Sequence, residues 1–258
     1  MKNRLLLLLS ASLWLACQPG DSSEFGIEPG GNTYNDEASP TQKLYCNGTN
    51  CDNPNNIEKY SYNSAGKLTR IDYVGRVASG KMEVYSYYEY RYNPNGQLVA
   101  KTRFGQYGTG SNWVAYEETE YEYADGVLKT ERNYFNQRNP EQRVLTGLVE
   151  YTYKDGKKTE QKWFDSNQKL SRRVVYEYQE NVVTRETWYS DTDKVFRLFT
   201  HSFAGNRRQI SEHLPNSSDQ IALIEKTYDK QGRILTEETK VNNPLLCVMI
   251  AGIIRYTY

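Results

Sequence analysis

Tyr121 to Phe135 reads YEYADGVLKTERNYF. Asp125-Gly126 sits at its centre, and an Asp-Gly pair between alternating strands is a strong two-residue hairpin signal. The reason is steric: both central residues need positive φ, which glycine accepts freely and aspartate tolerates. On either side, tyrosine, valine and threonine alternate with charged residues, the period-two pattern of a half-buried strand. The stretch therefore predicts one antiparallel hairpin.

The same unit recurs outward in both directions. YSYNSAGKLTRIDY starts at Tyr60, YRYNPNGQLVAKTRF at Tyr90, YTYKDGKKTEQKWF at Tyr151 and YEYQENVVTRETWY at Tyr176. Two more divergent copies start at His201 and Lys226. The turn glycines Gly66, Gly96, Gly126 and Gly156 are 30 residues apart, and Asn181, Asn206 and Gly232 follow at 25, 25 and 26. A fixed period of this length marks a repeat architecture. Breakers such as Asn136 to Pro140, Asp165 to Asn167 and Pro215 to Asp219 fall at the far ends of the hairpins. The reading is an all-β, repetitive antiparallel meander of about fourteen to sixteen strands. The shorter late repeats imply a sheet that narrows by roughly 7–9 Å towards its C-terminal end.

These units resemble the YD-repeat, or Rhs-repeat, family. Tyr228-Asp229 with Gly232 and Ile234 keeps the family pattern, and Tyr62-Asn63 with Gly66 and Leu68, and Tyr92-Asn93 with Gly96 and Leu98, keep it with asparagine in place of aspartate. In large members such hairpins spiral into a shell around a toxin. This chain is too short for a closed shell by that comparison, and no additional toxin segment is evident. The resemblance implies an extended open or curved sheet over residues 44–258.

Two tyrosine rows follow from the repeat. Tyr60, Tyr90, Tyr121, Tyr151 and Tyr176 form the first; Tyr62, Tyr92, Tyr123, Tyr153 and Tyr178 form the second on the same face. Tyrosine covers a large area while tolerating a wet edge, so packing is one reading. A platform for sugar rings or peptide is the other. The glycine-rich loop 105–112, bordered by Tyr107 and Trp113, is the first candidate for recognition, because variable loops on rigid scaffolds carry it. Leu245 to Ile254 is the one strongly apolar stretch after the leader. It reads as a closing segment or last buried strand, with a partner-binding strand as the alternative.

The N-terminal end reads as an address. Lys2 and Arg4 precede the apolar run Leu5 to Leu15, which as a helix rises only about 16 Å and is too short to span a bilayer. This is an export signal over residues 1–16. Leu13-Trp14-Leu15-Ala16-Cys17 resembles a bacterial lipobox of the Bacteroidetes type, with Trp14 where leucine is usual. That resemblance implies lipidation at Cys17 and a membrane partner through the lipid. A secreted protein with an incidental Cys17 is the alternative. Residues 17–43, rich in Gly, Pro, Ser, Asn and acids, read as a flexible tether reaching roughly 25–30 Å. Cys46 and Cys51, with four residues including Asn-Gly between them, suggest a small disulfide loop in an exported chain. Cys247 reads as a buried thiol.

Composition narrows the function. With 32 basic and 32 acidic residues in 258, and mean hydropathy −0.81, neither a multi-span membrane protein nor a nucleic-acid binder is indicated. His201 and His213 are the only histidines, and no nucleophile elbow, zinc motif or Walker loop occurs. Glu117-Glu118 and Glu237-Glu238 are adjacent on strands, so each pair points to opposite faces. No cofactor or metal is expected. The expectation is a non-catalytic envelope lipoprotein of the outer membrane, periplasmic or surface-facing. It would bind an envelope protein or glycan, or act structurally; a glycan-binding module and a polysaccharide hydrolase are the rivals.

Overall fold

A computed structural model describes residues 26–27, 33–34, 39–46, 51–77, 79–106, 112–136, 142–242 and 251–258. Two short strands, β1 (Gly26–Ile27) and β2 (Thr33–Tyr34), pair with each other. The domain itself begins with β3 (Gln42–Cys46), β4 (Asn56–Tyr62) and β5 (Leu68–Arg76). It continues through β6 (Met82–Tyr92), β7 (Leu98–Gln106), β8 (Trp113–Ala124), β9 (Val127–Asn136), β10 (Arg143–Lys154) and β11 (Lys157–Asp165). The later strands are β12 (Leu170–Gln179), β13 (Val182–Ser190), β14 (Val195–Ala204), β15 (Arg207–His213), β16 (Gln220–Tyr228), β17 (Ile234–Val241) and β18 (Gly252–Thr257).

Every neighbour in this meander is antiparallel, as the repeats predict. The sheet is not open. Strand β18 pairs with β3, from Ile253↔Cys46 to Thr257↔Gln42, and closes sixteen strands into a barrel. This corrects the expectation of an open or curved sheet and of a chain too short for closure. Sixteen strands need only about 4.8 Å of wall each, so a ring roughly 25–30 Å across suffices. The apolar C-terminal stretch contributes the closing strand through residues 252–254; Cys247 lies outside the described residues.

A recurring bulge bends the wall. Register shifts fall immediately before Tyr62, Tyr92, Tyr123, Tyr153, Tyr178 and Tyr228. The residue skipped on the facing strand is Thr69, Val99, Lys129, Thr159, Thr184 or Leu235. Each bulge bends its strand and adds local twist, and a bulge repeated at one level curves a sheet towards closure. Thr69 and Thr159 donate their hydroxyls back across the ladder to the carbonyls of Ser61 and Thr152, at 3.0 and 3.3 Å.

The two-residue turns behave as their sequence demands. Asp125 and Gly126 have φ of 53° and 81°, and Asp155 and Gly156 have 53° and 77°. At the next two turns positive φ falls on Glu180 (56°) and Gly205 (61°), one residue before the asparagines that the spacing singles out. Strands shorten from 12 residues in β8 and β10 to 7 in β15 and 8 in β17, so the wall narrows late in the chain.

The two faces of the wall differ. Between the tyrosines, positions such as Lys59, Glu89, Arg91, Glu122, Glu150 and Glu177 are exposed, and they face outward. The tyrosines and their in-register partners face inward. Inside β12 to β16, Val174, Tyr176, Val183, Trp188, Phe199, Ile210 and Ile224 form the main apolar core. Cys46 and Cys51 are disulfide-bonded, with Cα atoms 4.5 Å apart, across the β3–β4 connection.

Candidate binding interior

The first tyrosine row lines the inside of the barrel, and its hydroxyls meet inward carboxylates and amides. Glu58, only 7% exposed on β4, accepts from the hydroxyls of both Tyr45 and Tyr60. Tyr151 donates to Glu131 at 2.6 Å, and Tyr176 donates to Gln161 at 2.9 Å. Burial, followed by the nearby Glu58 charge, pushes the Tyr45 and Tyr60 hydroxyls far above the ordinary phenol range. Burial and Tyr121 do the same to Tyr90, and burial and Glu131 to Tyr151. Such phenols stay neutral and act as donors.

Lysines share this space. The Lys43 ammonium lies 5.6 Å from the Tyr60 ring and 5.2 Å from that of Tyr256. Lys158 lies 4.6 Å from Tyr176 and 5.8 Å from Tyr151. These are cation–π distances. Both the hydroxyl edge and a ring face of several first-row tyrosines are therefore engaged within the wall.

The second row joins hairpins to one another. Tyr92 donates to the Leu68 carbonyl, Tyr178 to that of Lys158 and Tyr258 to that of Ile234, each at 2.8 Å. Tyr123 bonds the backbone of Leu98. The rule is constant: each hydroxyl reaches the residue that stands in register with the tyrosine of the preceding hairpin. Tyr62 makes the equivalent bond to Pro40 at 2.8 Å, where residues 39–41 lead into the barrel.

Two charged clusters occupy the interior. Between β5 and β8, Arg103 pairs with Glu117 at 3.3 Å and lies 5.5 Å from the Tyr88 ring. Burial carries the Tyr88 phenol to about 12, with Arg103 opposing the shift. In β13 to β15 the second cluster is buried. Glu186 and His201 have fully buried side chains, with Glu186 Oε1 3.1 Å from His201 Nε2. Arg208 Nη2 donates to His201 Nδ1 at 2.9 Å, and Trp188 Nε1 donates to Glu186 at 3.2 Å. An arginine donor at Nδ1 places the imidazole proton on Nε2, towards Glu186. Burial, reinforced by Arg208, holds the His201 pKa below its ordinary value, so the ring is neutral. Beside it, Glu212 pairs with Arg197 at 2.7 Å.

The predicted loop residues separate from this interior. Trp113 opens β8 and packs edge-on against Tyr87 at 4.9 Å, and Tyr87 stacks on Phe104 at 4.7 Å. Tyr107 and Cys17 lie outside the described residues. Sequence reading missed Glu58, Glu131, Gln161, Glu186, His201 and Arg208. The signal available was parity: each lies an even number of positions from an inward aromatic on its strand, or stands in register with one.

Among the described residues no group of three or more His, Cys, Asp or Glu is placed to hold a metal ion. No described helix is long and apolar enough to cross a membrane, which does not bear on crossing by strands. A cavity of about 390 Å³ opens between β13 and β14, with His201 in its wall.

No family model matches the chain, and no curated protein matches it. Solved structures do. A porin-like protein from Bacteroides uniformis is 12% identical over 84% of this chain and 96% of its own, with a TM-score of 0.40. A porin-like protein from Bacteroides vulgatus is 12% identical over 85% of this chain and 98% of its own, at 0.36. The TcdB2-TccC3 structure is 14% identical over 79% of this chain and 14% of its own, at 0.31.

Proposed function

We propose that the protein is an exported envelope lipoprotein whose barrel stands in water and serves a non-catalytic binding role through its interior. The observation that carries this is the inverted polarity of the wall. A barrel that crosses the outer membrane needs an outward apolar band about 25 Å tall. Here the outward positions carry ion pairs: Arg143 with Glu118 and Glu120 at 3.2 and 2.8 Å, Arg132 with Glu122, and Lys240 with Glu225. Lys162 and Arg173 flank Glu160 at 3.0 and 3.4 Å on the same outer face. Both tyrosine rows and the buried charges lie inside instead, where a ligand or an envelope partner's segment would meet them.

The lipid on Cys17 would then hold the barrel at a membrane through the tether, without the wall entering lipid. Chains ending their leader at Cys17 should incorporate labelled palmitate, and Cys17→Ala should abolish the label. Residues 18–258 should stay monodisperse without detergent. A detergent requirement, or labelling that survives Cys17→Ala, would overturn the reading.

A further inference from the structure

Arg172 and Arg173 are neighbours on β12, so their side chains leave opposite faces of the wall. Arg173 faces outward. It lies 3.8 Å over the Tyr189 ring and pairs with Asp193 and Glu160 at 2.7 and 3.4 Å. Arg172 has the parity of Val174 and Tyr176, which belong to the inner core, and it stands in register with Trp163. Its guanidinium lies 4.4 Å from the Trp163 ring and 5.2 Å from that of Trp188. Those two rings stack 6.0 Å apart.

The neighbours differ in what answers their charge. Arginines that lie over tyrosine rings elsewhere also hold a carboxylate: Arg70 holds Asp72, Arg103 holds Glu117, Arg143 holds Glu120 and Arg233 holds Asp229. Arg172 has no such partner among the described residues, and its contacts are the two tryptophan rings. Burial lowers its pKa. In Arg173 the same burial is outweighed by the hydrogen bond and charge of Asp193, and the pKa rises. A guanidinium stays protonated under such a shift, so the donors of Arg172 remain to be satisfied. Arg172 is half-buried rather than sealed, two residues inside the start of β12. Solvent therefore reaches those donors on the inner face.

The surroundings fit one kind of ligand. An arginine fork matches a carboxylate through two parallel hydrogen bonds. The rings beside it are apolar and partly open: Trp163 and Phe196 are half-buried and pack against the buried Trp188. Nearby acids are engaged elsewhere, Glu186 with His201 and Trp188, Asp191 with Lys169 and Asp193 with Arg173. We infer that Arg172 is an anion-binding group on the inner wall, and that it takes the carboxylate of an organic acid whose apolar part rests beside Trp163 and Phe196. This deepens the binding reading above by giving it a position and a ligand class, and it rests on that reading for its biological sense.

The test titrates the full chain with benzoate at constant ionic strength. Benzamide serves as the neutral isostere and inorganic phosphate as an anion without an apolar part. Binding is read by calorimetry and by the arginine Nε–H signals in heteronuclear NMR, where the Arg172 signal is the one missing from Arg172→Lys. Benzoate should bind with a dissociation constant of roughly millimolar order and move that signal. Benzamide and phosphate should each bind at least tenfold more weakly. Arg172→Gln should weaken benzoate at least tenfold, and Arg172→Lys, which keeps the charge but loses the fork, severalfold. Arg173→Gln, on the outer face, should leave benzoate binding unchanged. No benzoate binding up to about 50 mM, benzamide or phosphate binding as tightly as benzoate, or undiminished binding by a folded Arg172→Gln protein would overturn the proposal. If Arg172→Gln fails to fold, the benzoate-to-benzamide ratio and the Arg172→Lys protein decide. Palmitate labelling and detergent-free behaviour are independent of these outcomes, so the envelope reading can stand when the anion site falls.

Discussion

The two sides of the barrel interior solve burial differently. From β3 to β8 the inner wall is phenolic: Tyr45, Tyr60, Tyr73 and Tyr90 surround Glu58, with Tyr88, Arg103 and Glu117 beside them. From β12 to β16 the inner wall is apolar, built on Val174, Phe199, Ile210 and Ile224, and it buries the Glu186–His201–Arg208 chain. Neutral phenols donate to a carboxylate on one side, and a neutral imidazole bridges opposite charges on the other. The lesson is that one repeat can support either interior, because the bulges and turns set the wall while inward side chains are free to vary.

The largest effect that would sharpen this contrast is at Glu186. Glu186→Ala takes the buried carboxylate away from the His201 Nε2 and the Trp188 indole N–H, and each buried donor left unpaired costs about 1–3 kcal/mol. Chemical denaturation should show that loss. A change below about 1 kcal/mol would mean that water reaches the cluster. Glu58→Gln should cost less, about 1.5–3 kcal/mol, the worth of hydrogen bonds to a charged acceptor. Spectrophotometric titration should also show phenol pKa values moving down, since Glu58 raises those of Tyr45 and Tyr60. Unmoved phenols would remove Glu58 from its place at the centre of that side.

Acid and alkali should attack the two sides separately. The raised tyrosines bind protons in the folded state that the unfolded chain gives up near pH 10, so their stabilisation holds below about pH 10 and is lost as pH rises beyond it. His201 has the opposite sign. Its folded pKa lies below the unfolded value, so its contribution is present above about pH 6.5 and is lost on acidification. His201→Gln should flatten stability between about pH 6.5 and 5 and leave the alkaline limb intact. An unchanged acid limb would show that the imidazole titrates freely. The smallest effect belongs to the seams: Tyr178→Phe should cost about 1 kcal/mol, one neutral hydrogen bond.

Much of the wall was legible from local chemistry. Asp125-Gly126 and Asp155-Gly156 specify their turns through φ alone, and Tyr-x-Tyr alternation puts both tyrosines of each unit on one face. Closure was hidden because a bulge leaves no mark on the bulged unit's alternation: Tyr121 to Tyr123 still reads as period two, while Lys129 is the extra residue on the facing strand. Glu58 and Glu186 were hidden for a related reason. In a flat sheet their charge assigns them to solvent, and only a closed wall with tyrosine and arginine partners makes the inner face tenable for them.

Pairing of β18 with β3 has a consequence for biogenesis. The first wall strand in the chain has as its mate the last, and every intermediate length carries two bare strand margins. Such margins recruit other chains. Closure of the wall is therefore a single zippering event that waits for β18, and anything that shields the β3 margin until then should favour the yield of folded barrel.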